Sequence, residues 1–530
     1  ELQGATLEEN KTYTWKNDGG PYVAVADIRV RRDLYNPGSE RSILEISTGT
    51  TVQFSSGKYL YVGDSENNYN YNNYPGGLKA KGVTFTSLDT TGWGGLYFQN
   101  STLDDSSYTL IDSSIIENAV DGIYCQSANP TIRNSTIRNN TDGIDADSGS
   151  QPTITGNTFT GNGRPLAIYP QRIDENIYGN TYSGNTKNYI EVQDGTIQDN
   201  RTYTWKKDGG PYVAAHSISV QLYNNAQHLS TLEIESGTTV MFKSGVNLYI
   251  GHENSGDYKG ALIANGVTFT AYDSTGWNGI RFRTYADDSN CLIDSSIVEG
   301  AVDGIYCQSA SPTITNSTIR NNTDGIYADS GSQPTITGNT FLNNNYGLKI
   351  YNSNNDYSIG DSVGNANRFK NNTSYALYNY DSDDSLNATY IHWGSGSGPY
   401  HTTNIHGKGD AVGGLVNFSN WIGLSAVDSV TVTETMFGPQ LAWPALQDND
   451  VAKYYIFRST DSTTSTLHDS TVSTELFYTD DRALRDSVYY YRVAAGDNSS
   501  DFGRLSTYDV GGIIPFEMVF AIKDVGVEDL

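Results

Sequence analysis

Apolar positions in this chain come in very short runs, such as Gly143-Ile144, Thr153-Ile154 and Thr158-Phe159, and the residues between them are Asn, Ser, Gly and Asp. None of these stretches carries the 3.6-residue spacing of an amphipathic helix. Short β-branched segments bounded by turn formers predict strands, because Asn and Gly tolerate the left-handed backbone that a sharp corner needs. The pattern then repeats on two scales. Pro130-Thr131-Ile132 returns at Pro152-Thr153-Ile154, and Pro312-Thr313-Ile314 returns after the same interval at Pro334-Thr335-Ile336. Over that lies a coarser copy: Thr12-Tyr13-Thr14-Trp15 returns as Thr202-Tyr203-Thr204-Trp205, and the seven residues from Asp121 to Ser127 return as Asp303 to Ser309.

A period of roughly 20 residues made of strands and corners predicts a solenoid, in which a unit unable to bury its own apolar face stacks on its neighbours. Parallel strands joined by turns make this solenoid a parallel β-helix. At roughly 4.8 Å per coil, about 18 coils over the first 420 residues would form a rod on the order of 85 Å long. Ile132, Ile154, Ile314 and Ile336 should stack inside as an aliphatic ladder, and Asn134, Asn316 and their relatives should form polar ladders at the corners.

Both copies resemble the right-handed parallel β-helix repeat proteins of microbial surfaces. Each opens with Tyr-Thr-Trp-Lys-x-Asp-Gly-Gly-Pro-Tyr-Val, continues with Leu-Glu-Ile-x-x-Gly-Thr-Thr-Val at Leu44–Val52 and Leu232–Val240, and carries a Gly-Trp at Gly92-Trp93 and Gly276-Trp277. The segment from Asn387 to Ile422, with Ile391-His392-Trp393-Gly394 and Trp421, is similar to the one that closes many surface β-helices, where bulky side chains cover the last edge. Residues 426–513 resemble a fibronectin type III domain, on Leu441-Ala442-Trp443, Tyr454 to Ser459 and Tyr489 to Val493. The expected fold is therefore all-β: two copies of a right-handed parallel β-helix segment (1–200 and 201–385), a cap (386–425), a β-sandwich of fibronectin type III type (426–513) and a tail strand (514–530).

Composition narrows the partners. Lys and Arg total 33 against 60 Asp and Glu, a net charge of −27, which repels nucleic acid and anionic membrane. No apolar run approaches the roughly 20 residues that cross a bilayer, so direct membrane insertion is not expected. The chain starts without the charged and apolar regions of a signal peptide, so any such peptide has been removed, and the composition fits a secreted or cell-surface protein. Its three cysteines cannot build a disulfide framework. Cys125 and Cys307 alternate with Ile123 and Ile305 and should point inward as small hydrophobes.

Candidate chemistry is sparse. Asn140-Thr141-Asp142-Gly143 is similar to the Asn-Thr-Asp segment of polygalacturonases, β-helical enzymes that hydrolyse glycosides with paired carboxylates. One coil on, where those enzymes carry further aspartates, this chain has Gly163-Arg164-Pro165 and Tyr346-Gly347-Leu348, the first copy contains no histidine, and Asn or Asp before Gly is ordinary turn chemistry. Asp142, Asp145 and Asp147 are weak Ca²⁺ candidates, with Asp145 and Asp147 facing outward about 7 Å apart along one strand. Trp93 and Trp277 are read as packing against neighbouring coils. No catalytic residue and no cofactor is expected.

The leading expectation is a structural rod that self-assembles into filaments or a surface layer. A carbohydrate-active lyase or hydrolase would show a charged cluster across three adjacent coils, and a glycan-binding adhesin would show outward aromatics aligned on one face. Asn134, Asn139, Asn316, Asn321 and Asn387 sit in Asn-x-Ser/Thr glycosylation triplets. In the tail, Phe516, Met518, Phe520 and Ile522 alternate as one face of a strand that could pair with a second copy.

Overall fold

The computed structural model describes residues 1–512 apart from 33–40, 65–73, 223–228, 255–257, 330, 352–358, 360–365, 382, 406, 424–426, 428, 436, 447–450, 485–486 and 497–508. Phe516, Met518, Phe520 and Ile522 lie outside the described residues. The chain divides into two compact units, Glu1–Ile336 and Thr337–Leu530.

In the first unit almost every strand is three to six residues long and pairs in parallel with the third strand after it. One turn of the chain thus lays down three strands, one on each of three faces. The first face is a continuous parallel sheet from Ala5–Leu7 to Thr318–Arg320. The other two are each interrupted once, after Ile177–Tyr178 and Thr181–Ser183, and resume with Gly195–Ile197 and Thr202–Trp205. Strand alternation puts one residue in two into the interior. Leu60, Leu96, Ile123, Ile144, Leu166 and Ile190 form the inward ladder of the first face, and Ile111, Ile132, Ile154 and Ile177 that of the second. All ten are fully buried, as are Ile314 and Ile336, so the predicted aliphatic ladder is present.

Coil length departs from the sequence expectation. Thr131 pairs with Thr153, one Pro-Thr-Ile interval on, but Thr12 pairs with Ile43 and Ile43 with Gly77, both of which are longer steps. Coils at the start of each copy are longer, so the described residues of the first unit stack thirteen strands on its continuous face, roughly 60 Å at one strand spacing each. The uniform step behind the expected number of coils holds only where Pro-Thr-Ile recurs.

The polar ladders also differ from expectation. Asn134 and Asn316 are exposed corner residues in the left-handed region, at φ 50, and each donates to the aspartate one coil earlier, Asp112 and Asp294. The buried ladder runs one residue further on. Asn157 Nδ2 donates to the Ile132 carbonyl at 2.9 Å, and its Oδ1 accepts the Ser135 N–H at 2.9 Å. Asn180 repeats the pattern on Asn157, and Asn140, Asn162 and Asn185 make a second column. A carboxamide both donates and accepts, so each rung satisfies corner groups of its neighbour that no strand pairing reaches.

In the second unit, Thr340–Leu342 pairs with Arg368–Lys370, and Tyr346–Ile350 with Tyr375–Asn379. The segment read as a cap does more than cover an edge: Gly409–Gly413 pairs in parallel with Tyr375–Asn379, and Leu386–Asn387 with Val416–Asn417. Trp393 is fully buried against Phe369, with ring centroids 5.3 Å apart. Residues 431–511 form two antiparallel sheets, of three strands (Thr431–Thr433, Gln440–Ala442, Phe477–Thr479) and four (Thr466–Val472, Lys453–Ser459, Tyr489–Gly496, Asp509–Gly511). Their shared core contains Leu441, Trp443, Tyr454, Ile456, Tyr491 and Val493.

Candidate functional site: a tyrosine row and an arginine-centred cluster

The residues between the inward ladder of the first face point outward. Register places Arg29, Tyr61, Tyr97, Tyr124 and Asp145 on consecutive strands, directly opposite one another. The Tyr61 and Tyr97 rings stand 5.3 Å apart and Tyr97 and Tyr124 4.7 Å apart, while the Arg29 guanidinium lies 4.2 Å over Tyr61. Tyr59 leans on Tyr61 at 5.4 Å and covers Gly94, where a Cβ would come within 2.4 Å of its ring. Gly95 is required for a different reason. It sits at φ +131, and a side chain there would meet the Asp121 carbonyl at 1.6 Å, so only glycine lets this rung lie flush beside the next. All four tyrosines are half-buried. Burial, then Tyr124, pushes the Tyr97 hydroxyl up to about 12, so that hydroxyl is uncharged at neutral pH.

Where the tyrosines end, charge begins. Asp121, Asp142 and Arg164 stack on three successive strands, with Asp145 and Glu191 on neighbouring outward positions. Arg164 is the centre: its guanidinium grips Asp142 at both oxygens (2.9 and 3.0 Å), reaches Asp145 at 2.8 Å and Glu191 at 3.0 Å. Lys187 adds a bond to Glu191 at 2.9 Å. Burial raises Glu191, but Lys187 and Arg164 outweigh it and hold the carboxyl below its usual range. Asp145 goes the other way, raised by burial more than Arg164 lowers it. Among the described residues no donor reaches the Asp121 carboxylate. Burial first, then the charges of Asp142 and Asp145, push it up to about 6.

The second copy carries a related row without the cluster. Tyr249, Arg281, Tyr306 and Tyr327 occupy consecutive outward rungs. Tyr306 and Tyr327 meet edge to face at 5.1 Å, Arg281 lies 4.8 Å over Tyr306, and Arg283 lies 3.5 Å over Tyr249. Arg281 is neutralised by Asp303 at 3.0 Å. Tyr327 stands where the first copy has Asp145, and Tyr346 where it has Arg164, so duplication kept the aromatic row and not the ion network.

A family model for the right-handed β-helix region matches residues 68–226 and 243–398, together more than half of the chain. The chain belongs to the right-handed β-helix family. No curated protein matches it. Among 12 matching solved chains, the sixth fibronectin type III domain of human fibronectin type III domain containing protein 3 is 20% identical over 18% of this chain and 91% of its own, with a TM-score of 0.16. A β-1,2-glucanase from Parabacteroides distasonis is 21% identical over 18% of this chain and 14% of its own, also with a TM-score of 0.16. Scores at that level carry no weight for fold or activity.

The β-helix places the other sequence candidates as follows. Asp142 and Asp145 are both bonded to the Arg164 guanidinium, at 2.8 to 3.0 Å. Asp147 accepts the Ser127 and Gly149 N–H groups and the Ser150 hydroxyl, at 2.8 to 3.0 Å, which is corner structure. No group of three metal-ligating side chains occurs among the described residues. Asn134, Asn139, Asn316 and Asn321 are corner residues with left-handed backbone, and Asn387 is half-buried. Trp93 and Trp277 are buried, stacked on Phe54 at 4.5 Å and Phe242 at 4.2 Å, and each indole donates to a carbonyl of the next coil. Cys125 and Cys307 point into the core as expected, and burial raises both thiols. Sequence reasoning missed the tyrosine rows, although a signal was present: Leu60-Tyr61-Val62, Leu96-Tyr97-Phe98, Ile123-Tyr124-Cys125, Leu248-Tyr249-Ile250, Ile305-Tyr306-Cys307 and Ile326-Tyr327-Ala328 all set one tyrosine between two apolar residues.

Proposed function

We propose that this β-helix protein works outside the cell or on its surface as a polysaccharide-binding rod, with its C-terminal sandwich a fibronectin type III module. One observation carries the reading: Tyr61, Tyr97 and Tyr124 line up on consecutive outward rungs. Their spacing along the axis is one strand step, roughly 4.8 Å, and a pyranose ring spans about one such step. Aromatic rings with a hydroxyl at the edge offer both an apolar surface for sugar rings and hydrogen bonds to their hydroxyls. Neutral glycans suit the face, because a net charge of −27 repels uronate-rich chains. Retardation of the protein in native gels containing neutral β-glucan, xylan or mannan tests the reading. No retardation by any of them would refute it.

Hydrolysis is the second reading, favoured by Asp121, an acid pushed up to about 6 one strand from Asp142. A carboxyl raised toward neutrality is how glycosidases obtain their general acid. Binding is preferred because Arg164 holds both oxygens of Asp142, leaving it poorly placed to attack or to activate water. Reducing-sugar release that disappears in Asp121→Asn would reverse that preference.

A further inference from the structure

The two tyrosine rows do not share a face. Among the described residues, Thr12–Trp15 is the second strand and its copy Thr202–Trp205 the twenty-fourth. Twenty-two strands separate the copies, and with three strands per coil that is one more than a multiple of three. Every strand of the second copy therefore lands one face further round. Tyr22–Ala24 and its copy Tyr212–Ala214 show the displacement: the first pairs in a side sheet, the second in the continuous sheet of the first face. The row Tyr61–Tyr97–Tyr124 accordingly lies on the continuous first face, and Tyr249–Arg281–Tyr306–Tyr327 on the next. The gap between them along the axis is about five strand steps, roughly 24 Å.

We infer that the first unit is a cross-linker, binding two separate strands of neutral polysaccharide on two faces a third of a turn apart. The inference rests on the glycan-binding reading and adds to it the number and disposition of sites. A straight glycan running along one row cannot lie along the other, because the rows differ in direction around the axis. Each row offers only side chains, since the backbone beneath it is fully paired in the sheet, so an extended peptide finds no edge to join. The arginines over the rings are already matched, Arg281 by Asp303, Arg283 by Glu253 at 3.3 Å and Arg29 by Asp27 at 3.8 Å, which leaves neither row a cationic trough for a polyanion. Rigid spacing between the sites makes simultaneous engagement of two strands a matter of geometry rather than of new contacts.

The experiment uses the full chain, cellotetraose for stoichiometry and barley mixed-linkage β-glucan for bridging. Calorimetry is expected to give two tetrasaccharides per wild-type chain, one for Y97A/Y124A, one for Y306A/Y327A and none for the quadruple variant. Light scattering should show wild-type protein cross-linking the β-glucan, and either double variant binding without cross-linking. Y97L/Y124L and Y306L/Y327L keep the sheet covered if the alanine variants misfold, and are expected to behave the same way. A wild-type ratio of one, or loss of all binding in a single double variant, overturns the two-face inference and leaves the glycan reading standing. Absence of wild-type binding to cellotetraose, β-glucan, xylan and mannan alike overturns both.

Discussion

Asp121 is the residue at which burial, charge and register act against one another. Burial, then the charges of Asp142 and Asp145, raises its pKa in the folded state to about 6, above the roughly 3.9 of an unfolded chain. A carboxyl shifted this way contributes stability below its unfolded pKa and loses it as pH rises through 6. Asp121→Asn, which keeps the shape and removes the charge, should therefore raise the melting temperature by about 2 °C at pH 7.5, on the order of 1 kcal/mol or less once solvent screening is included. Near pH 4 the two proteins should melt together. Thermal scans across that range check it, and a gain that persists at pH 4 would mean burial and charge are not the cause. Arg164 is the complementary case. Removing it strands Asp142, Asp145 and Glu191 with only Lys187 nearby, so Arg164→Met should cost about 3 kcal/mol, more at pH 8 than at pH 5, where carboxyls take up protons. Because the arginine stands among those carboxylates, wild-type melting should not respond to Ca²⁺ or to chelator.

Between one rung and the next, the asparagine columns and the corners divide the labour. Asn157 is buried and serves Ile132, Ser135 and Asn180, so Asn157→Ala leaves several buried groups without partners and should cost about 2–4 kcal/mol. Asn134 is a corner with a left-handed backbone, and one coil later the same place is Gly156, at φ +65. Asn134→Gly should change stability by less than about 0.5 kcal/mol, whereas Asn134→Val should be costly. Local hydrogen exchange of the Ser135 amide distinguishes the three variants, and equal protection in all of them would refute the assignment. The same contrast explains what was legible beforehand. Pro-Thr-Ile at a constant interval announced the inward ladder, because equal coils put equal residues in register. The tyrosine rows were hidden because the interval from Tyr61 to Tyr97 is longer than that from Tyr97 to Tyr124, and only the pairing shows those unequal coils ending on one line. The Arg164 cluster was hidden for a related reason: Asp142 and Asp145 come from the coil before it and Glu191 from the coil after, and no single motif contains them.

At the scale of the whole chain, net charge decides which associations salt can reveal. With −27 at pH 7, two copies repel each other over a Debye length of about 30 Å at 0.01 M salt but only about 8 Å at 0.15 M. Self-assembly into a filament or layer, whether or not residues 514–530 connect the copies, has to overcome that repulsion. It should strengthen with salt and strengthen again as pH falls toward the sequence pI of 4.5. Binding of a neutral glycan to half-buried tyrosines involves no charge on the ligand, so its affinity should change less than twofold over the same salt range. An anionic polysaccharide would behave like a second copy of the chain and bind better as salt rises. Sedimentation velocity of the protein alone, beside affinity electrophoresis in neutral and uronate-bearing glycans at 0.01 and 0.15 M salt, separates the three. Neutral-glycan binding that rises with salt in step with sedimentation coefficient would show that the retarded species is an assembly, and that the tyrosine rows are not what holds the sugar.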